Sequence, residues 1–186
     1  QVEGGTKDEK TIFYTGMYHL LIHPNILQDV NGEYPMMESL KVGHTTGNRY
    51  TVFSLWDTYR NVSTLMTLLY PERQLDIIRT MLDMYRENGW LPKWELYGRE
   101  TFTMEGDPSI PYIVDAWMRG LRDFDEQTAY EAMRKGATTP GEFNLLRPDA
   151  NDYFSKGYVP LREQYDNSVS HALEYYIADW NLSLLA

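Results

Sequence analysis

Residues 71–89, PERQLDIIRTMLDMYRENG, carry the signals that decide the fold. A proline is tolerated in the first turn of a helix, because the N–H that it lacks would have no partner there. The apolar residues recur at helical spacing: Leu75, Ile78, Leu82 and Tyr85. Asn88-Gly89 supplies a C-terminal stop. The stretch therefore predicts a helix with one buried face.

The flanking sequence predicts more helices in pairs. Apolar residues predict a helix from about residues 51–54 to Tyr70, and the very short connection to the next helix predicts an antiparallel hairpin. A second hairpin is predicted by Asp107-Pro108 and by Asp125, which both suit helix starts. These hairpins predict an all-α fold.

Both ends of the chain and two connections complete the organisation. Helices are predicted over residues 8–22 and from residue 167 or 168 onward, and the last helix carries an apolar stripe on one side: Val169, Leu173, Tyr176, Ile177 and Trp180. Residues 28–48 are rich in turn residues and predict a long irregular loop. Residues 97–104 alternate weakly and predict a short strand pair.

Composition excludes several classes of function. The 186 residues suit one domain, and their net charge of −10 disfavours binding to nucleic acids or anionic membranes. The sequence has no cysteine, which excludes disulfides, a thiol nucleophile and thiolate metal sites. No apolar run is long enough to predict a membrane span. The 26 aromatic residues (five Trp, fifteen Tyr, six Phe) are compatible with binding of neutral sugars.

Residues 50–60, YTVFSLWDTYR, form the strongest candidate site. Asp57 and Arg60 are three positions apart, so they share a helix face, with Trp56 beside them. A carboxylate can accept hydrogen bonds from two sugar hydroxyls, a guanidinium can orient that carboxylate or bind another hydroxyl, and an aromatic face can stack on a pyranose. The same pattern also fits a surface ion pair next to a core tryptophan.

Three further segments carry weaker candidates. Lys93 and Trp94 follow a helix stop. They either line a cleft or belong to a loop that is filled by its own aromatic side chains. Asp107 either lines a cleft or only caps a helix. Glu174 is either functional or a solvated or networked glutamate. We assign no metal ligand, because no histidine or carboxylate spacing matches a known metal motif.

The order of these segments resembles the catalytic domain of glycoside hydrolase family 92. The matching segments are FYTGMYH at 13–19, DVNG at 29–32, YTVFSLWDTYR at 50–60, NGWLPKW at 88–94, Gly106-Asp107, VDAWMRG at 114–120 and SVSHALEY at 168–175. The resemblance covers residues 11 to 186. It implies an exo-acting, inverting, calcium-dependent α-mannosidase with an N-terminal β-sandwich and an (α/α)6 barrel.

The resemblance also implies what lies outside this sequence. It identifies residues 1–186 as a partial (α/α)6 domain, truncated at both ends, with the β-sandwich before residue 1. The general acid, the general base and the main calcium ligands are expected after residue 186, so we assign no catalytic residue here. Trp56 and Asp57 correspond to a pair that contacts mannose in the −1 subsite, and Arg60 is their neighbour on the helix face.

Further expectations follow from the family. Lys93, Trp94 and Asp107 are expected to line the cleft. The partners are α-mannoside glycans and the missing parts of the enzyme, and self-association through exposed helix faces is expected. The family is often exported to the bacterial periplasm or cell surface. The alternative is a non-catalytic helical module that binds a glycan or a protein, which the uncapped end at residues 184–186 disfavours. Linkage specificity is not encoded in this stretch.

Overall fold

The computed structural model describes residues 1–161 and 167–186, and within these ranges helices dominate. The helices are α1 (Lys7–Leu20), α2 (Leu55–Thr58), α3 (Val62–Leu69), α4 (Pro71–Asn88), α5 (Ser109–Met118), α6 (Glu126–Thr138), α7 (Ala150–Lys156) and α8 (Ser168–Leu185). The strands are β1 (Asn25–Ile26), β2 (Glu33–Pro35), β3 (Val42–His44), β4 (Tyr50–Thr51), β5 (Glu95–Leu96) and β6 (Arg99–Glu100). The all-α class is confirmed, and α3 and α4 pack together as the first predicted hairpin. Among the described residues, no helix is both long and apolar enough to cross a membrane.

Helix α4 has the predicted ends and lies at the centre of the core. Pro71 occupies its first position, and Gly89 ends it in the left-handed conformation with φ +87°. Of the predicted apolar stripe, Ile78 and Leu82 are buried, and the rest of the buried face is formed by Ile77, Met81 and Met84. The helix packs on α3, as the hairpin prediction required, and on α5 and α6.

Helix α5 is the most completely enclosed of the described helices. Residues 109–114 and Ala116 are all buried, and the helix packs against α3, α4 and most extensively α8. A polar chain crosses this core, in which the Tyr112 hydroxyl donates to the Gln74 side chain at 3.0 Å. The Gln74 amide in turn donates to the Ser63 hydroxyl at 2.9 Å. These buried polar groups are thus paired with one another, as burial requires.

The predicted helix over residues 51–70 was wrong as a single element. Tyr50 and Thr51 form β4, and the helical part divides into α2 and α3, with the break at residues 59–61. The reason lies in tertiary contacts, because Tyr59 and Arg60 both hydrogen-bond Glu174 on α8. A periodic apolar pattern cannot show that two residues leave the helix to reach a distant partner.

The predicted irregular loop over residues 28–48 contains an antiparallel hairpin of β2 and β3, with Tyr34 opposite Gly43. A side chain on Gly43 would come within 2.6 Å of the Tyr34 ring, so only glycine fits. Tyr34 is buried, and its hydroxyl donates to Glu87 at 3.0 Å. The turn residues therefore build a hairpin that packs on α4, and not a free loop. The strand pair predicted over residues 97–104 is present as β5 and β6, slightly upstream.

Most apolar residues of α1 and α8 are exposed or only partly buried. Helix α1 begins with a capping box between Thr6 and Glu9 but buries none of its residues. On α8 the buried residues are Ala172, Glu174, Tyr175 and Ala178. Four of the five residues in the predicted apolar stripe are exposed: Val169, Leu173, Tyr176 and Trp180.

The orientation of α8 can be tested by truncating one side chain on each kind of surface. Trp180 on α8 is 67% exposed, and Met133 on α6, chosen as the buried reference, is fully buried. Met133→Ala should lower the free energy of unfolding by about 2–5 kcal/mol, because it leaves a cavity. Trp180→Ala should change it by less than about 0.5 kcal/mol. Urea denaturation of the 186-residue chain measures both, and equal losses would show that Trp180 packs inward.

Candidate functional site

The candidate site forms where two distant segments pair through their backbones. The Phe53 N–H donates to the Glu95 carbonyl at 3.0 Å, and the Leu55 N–H donates to the Lys93 carbonyl at 3.3 Å. Both Phe53 and Leu55 are buried, which anchors this pairing in the core. The contact sets the start of α2 directly beside residues 93–95, so Trp56 and Asp57 lie near Trp94.

Two buried carboxylates hold this junction. Glu95 accepts hydrogen bonds from the Thr51 hydroxyl at 2.9 Å, the Val52 N–H at 3.1 Å and the Gly98 N–H at 2.6 Å. Glu100 accepts from the backbone N–H groups of residues 93, 94 and 102. Burial raises the pKa of the Glu95 carboxyl, although these hydrogen bonds act to lower it.

A hydrogen-bonded chain connects Trp94 to Asp57. The Trp94 indole N–H donates to the Ser54 hydroxyl at 2.8 Å, and that hydroxyl donates to one carboxylate oxygen of Asp57. Asp57 is exposed, and its second oxygen has no partner within the described part of the chain. The chain therefore orients a carboxylate whose free oxygen faces solvent, which suits an acceptor of hydroxyl protons.

Arg60 lies beside this chain and is held by three other side chains. Its guanidinium donates to Glu174 at 2.6 Å and to the Tyr59 hydroxyl at 2.9 Å, and Tyr59 donates to the other oxygen of Glu174 at 2.9 Å. The guanidinium carbon is 4.7 Å from the ring centres of both Trp56 and Tyr59. Arg60 thus forms its ion pair with Glu174, and Asp57 is bound by Ser54.

The Arg60 cluster shifts the pKa values of two of its members. Burial of the guanidinium lowers its pKa, but the hydrogen bond and charge of Glu174 outweigh this, so the pKa of Arg60 is raised. Burial, together with the same carboxylate, raises the pKa of Tyr59 to about 12. The guanidinium of Arg60 is therefore charged and the phenol of Tyr59 neutral at neutral pH, and both donate to Glu174.

Lys93 and Asp107 lie beneath this surface and are buried, with exposures of 2% and 1%. The Lys93 ammonium donates to the Leu146 carbonyl at 2.9 Å, and Asp107 lies 3.5 Å from the Arg147 guanidinium. Arg147 in turn donates to Asp179 on α8 at 2.7 Å. These ionised groups connect the loops before α5 and after α6 to α8.

Asp107 does not cap α5 through its side chain, so the expected capping role was wrong. Pro108 is the N-cap residue, and the helix start has no side-chain cap hydrogen bond. The Asp107 carboxylate is fully buried, and burial raises its pKa although Arg147 and Lys93 act to lower it. A side chain on Gly136 would come within 2.5 Å of this carboxylate, so glycine is needed there.

The structure groups the predicted residues into two layers. Trp56, Asp57, Arg60 and Trp94 surround the surface junction, whereas Lys93 and Asp107 lie below it. The sequence analysis did not identify four residues that organise the site: Ser54, Glu95, Glu100 and Arg147. Ser54, Glu95 and Arg147 act through partners more than 30 positions away, which no local pattern shows. Glu100 accepts from backbone N–H groups two to seven positions away, which no side-chain pattern identifies.

The residues of the site do not fit a metal centre. Within residues 1–161 and 167–186, no group of three or more His, Asp or Glu side chains could hold a metal ion. The described carboxylates near the site are already bound by hydroxyls, backbone N–H groups or guanidinium groups. We therefore assign no step of the chemistry to a metal held by this chain.

Comparison with protein families and known proteins gives one consistent result. The family model described as the glycosyl hydrolase family 92 catalytic domain matches residues 1–186. An uncharacterized secreted glycosidase of Arthroderma benhamiae is 26% identical over 195 residues, which are 98% of this chain and 21% of that protein.

Solved structures match in fold as well as in sequence. The family GH92 α-mannosidase BT3965 from Bacteroides thetaiotaomicron, in complex with mannoimidazole, is 35% identical with a TM-score of 0.86, over 96% of this chain and 23% of that one. The family GH92 inverting mannosidase BT2199 from the same organism is 31% identical with a TM-score of 0.89, over 100% and 26%. This chain therefore spans about a quarter of these structures, and their helical fold confirms the predicted fold class.

The buried ammonium of Lys93 gives a testable pH dependence. Burial lowers its pKa from 10.5 to about 8, although Asp107 and Glu100 act to raise it. Between these two values the unfolded chain binds one more proton than the folded chain, so the folded state gains stability as pH rises. Relative to Lys93→Met, the wild type should gain about 1.4 kcal/mol per pH unit in this window.

Urea denaturation of the wild type and Lys93→Met at a series of pH values measures this difference. Taking the difference between the two proteins removes the contributions of the tyrosines, which both proteins share. A difference in unfolding free energy that stays constant from pH 8 to 10.5 would show that Lys93 has an ordinary pKa.

Proposed function

The chain belongs to glycosyl hydrolase family 92, and on that basis we propose that it is part of the catalytic domain of an exo-acting, inverting α-mannosidase that hydrolyses terminal α-mannosides. In this proposal the chain contributes the sugar-binding wall of the −1 subsite. One matched relative is described as an α-mannosidase and another as an inverting mannosidase. The observation that carries the proposed subsite is the hydrogen-bonded chain from Trp94 through Ser54 to Asp57.

Each residue of the surface layer has a chemical role in this proposal. Asp57 accepts hydrogen bonds from sugar hydroxyls through the oxygen that Ser54 does not use. Trp56 and Trp94 offer aromatic faces to the apolar side of the pyranose ring. Arg60 donates to a hydroxyl acceptor, since a guanidinium donates hydrogen bonds and accepts none.

Lys93 and Asp107 act from below in this proposal. Their burial prevents direct contact with a sugar at the surface layer, so we propose that they support the site. Lys93 bonds the Leu146 carbonyl at 2.9 Å and the Met104 carbonyl at 3.4 Å, and it thereby connects two loops. The sequence predicted that both residues line the cleft. We propose instead that they support the site from below without contacting the sugar.

We propose that the reacting carboxyl groups lie outside this chain. An inverting glycosidase needs a general acid and a general base about 6.5–9.5 Å apart, so that a water molecule fits between base and sugar. The chain spans 23–26% of the matched mannosidase structures. We therefore propose that the chain is a partial (α/α)6 domain, which works with a β-sandwich and with the rest of the barrel.

We propose that the parent enzyme uses calcium and binds it mainly through residues beyond this stretch. Calcium takes six to eight oxygen ligands, with carboxylates prominent among them. No carboxylate cluster of that kind occurs among the described residues.

The proposed partners and location follow from the same family. The substrates would be α-mannoside glycans such as those of N-glycans. A matched relative is described as secreted, and we propose export of the parent enzyme to the bacterial periplasm, cell surface or medium. The exposed apolar residues of α8 would contact the rest of the barrel, and in the isolated chain they would favour self-association.

Removal of the Asp57 carboxylate tests its role in the full-length enzyme. Asp57→Ala should lower kcat/KM for a terminal α-mannoside by about 10- to 100-fold, because a charge-assisted hydrogen bond is worth about 1.5–3 kcal/mol. Asp83→Ala is the matched control, since Asp83 pairs with Arg86 on α4 and leaves the site untouched. Steady-state kinetics that are unchanged in Asp57→Ala would reject the sugar contact.

The isolated 186-residue chain tests the proposed location of the acid and base. It should release no mannose from α-mannosides, with or without added calcium, because it lacks the reacting carboxyl groups. A sensitive assay for free mannose, with the full-length enzyme as the positive control, measures this. Clear turnover by the isolated chain would show that the catalytic groups lie within residues 1–186. A parent reading frame that stops at residue 186 would favour the alternative, a non-catalytic binding module.

A further inference from the structure

Glu174 on α8 joins the surface layer of the candidate site from the interior. It is 7% exposed, and both of its carboxylate oxygens are used: one accepts from Arg60 at 2.6 Å and the other from Tyr59 at 2.9 Å. More than 110 residues separate the partners in sequence. The contact therefore ties the break between α2 and α3 to α8, the helix that packs most extensively on α5.

The position of Glu174 is fixed by Gly106. Gly106 has φ +78°, and a side chain there would come within 2.4 Å of the Glu174 Cβ. The stem of the glutamate thus packs directly on glycine backbone, which leaves it little room to change rotamer. The carboxylate is consequently presented to Arg60 and Tyr59 from a rigid base.

Arg60 is fixed on the other side by aromatic rings. Its guanidinium lies against Trp56 and Tyr59, at 4.7 Å from each ring centre. Two of its five N–H donors are used by Glu174 and Tyr59, and within the described residues the other three have no partner. The side chain is 41% exposed, so these donors can meet a ligand that is bound beside Asp57.

A free arginine loses considerable side-chain freedom when it binds a ligand. Here that loss has already occurred, since Glu174, Tyr59 and Trp56 hold the guanidinium in one orientation. Preorganised donors are more effective than mobile ones, because no reorganisation is needed at the moment of reaction.

We propose that Glu174 is a positioning residue that holds Arg60 so that its free N–H groups donate to a hydroxyl of the sugar bound by Asp57 and Trp56. The inference rests on the proposed function and adds one residue to it. Glu174 touches no substrate, because Arg60 and Tyr59 already occupy both of its carboxylate oxygens. It assigns to Glu174 an effect on sugar binding that acts only through Arg60.

A double-mutant cycle in the full-length enzyme tests this dependence. Glu174→Gln keeps the size of the side chain and its packing on Gly106, but removes the charge that holds Arg60. We expect Glu174→Gln to lower kcat/KM about 10-fold and Arg60→Met to lower it about 10- to 100-fold. The double variant should be no worse than Arg60→Met alone, because both changes remove the same interaction.

Deoxygenated substrates separate positioning from a general structural effect. In a panel of monodeoxy α-mannosides, removal of one hydroxyl should lower kcat/KM of the wild type at least several-fold. The same removal should have little effect on Arg60→Met and Glu174→Gln, because the donor for that hydroxyl is absent or misplaced. A variant that is only less stable would keep the hydroxyl preference of the wild type.

Two controls keep the result interpretable. Asp83→Asn weakens a surface ion pair on α4 at 2.8 Å and should leave kinetics unchanged. Tyr59→Phe removes one hydrogen bond of the cluster but keeps the charge of Glu174, so it should have an intermediate effect even if Glu174→Gln folds poorly.

The outcomes separate this inference from the proposed function. Two results would overturn the positioning role alone. In the first, the losses in kcat/KM of the two single variants multiply in the double variant. In the second, Glu174→Gln keeps the hydroxyl preference of the wild type. Absence of mannose release by the wild-type enzyme would overturn the proposed function and the positioning role together. Non-additive losses with a shared loss of hydroxyl preference would support both.

Discussion

The structure depends on the buried carboxylate of Glu95, which accepts three hydrogen bonds from segments that the sequence separates widely. Its partners come from residues 51–52 at the start of the site and from Gly98 in the turn between β5 and β6. A buried carboxylate is costly unless such partners surround it. This constraint fixes the backbone pairing that sets Trp56 and Asp57 beside Trp94, and with it the surface of the site.

Charge is used differently in the two layers of the site. The surface layer holds Asp57 and Arg60, which keep free acceptor and donor atoms after their intramolecular contacts are made. The lower layer holds Lys93, Asp107 and Arg147, which are all buried and connect loops to α8. The first arrangement suits recognition of a neutral polyhydroxyl ligand, and the second keeps the loops that carry it in place.

Local signals predicted most helix ends correctly. Pro71 and Gly89 bound α4, and the Asp125 side chain caps α6 by accepting from the Thr128 N–H at 3.0 Å. Prediction failed where a distant partner decided the local structure. The break after α2 follows from contacts of Tyr59 and Arg60 with α8, and the hairpin of β2 and β3 follows from packing of Tyr34 next to Glu87. Neither partner is visible within a window of the sequence.

The sequence by itself determined the helical class, the family resemblance and the surface candidates Trp56, Asp57, Arg60 and Trp94, because spacing and short motifs are local properties. Only the tertiary structure decided that Lys93 and Asp107 are buried and that most of the apolar stripe of α8 is exposed. It also decided that Glu174 pairs with Arg60. These features depend on which elements meet across the fold, and helical periodicity identifies an apolar face without specifying what covers it.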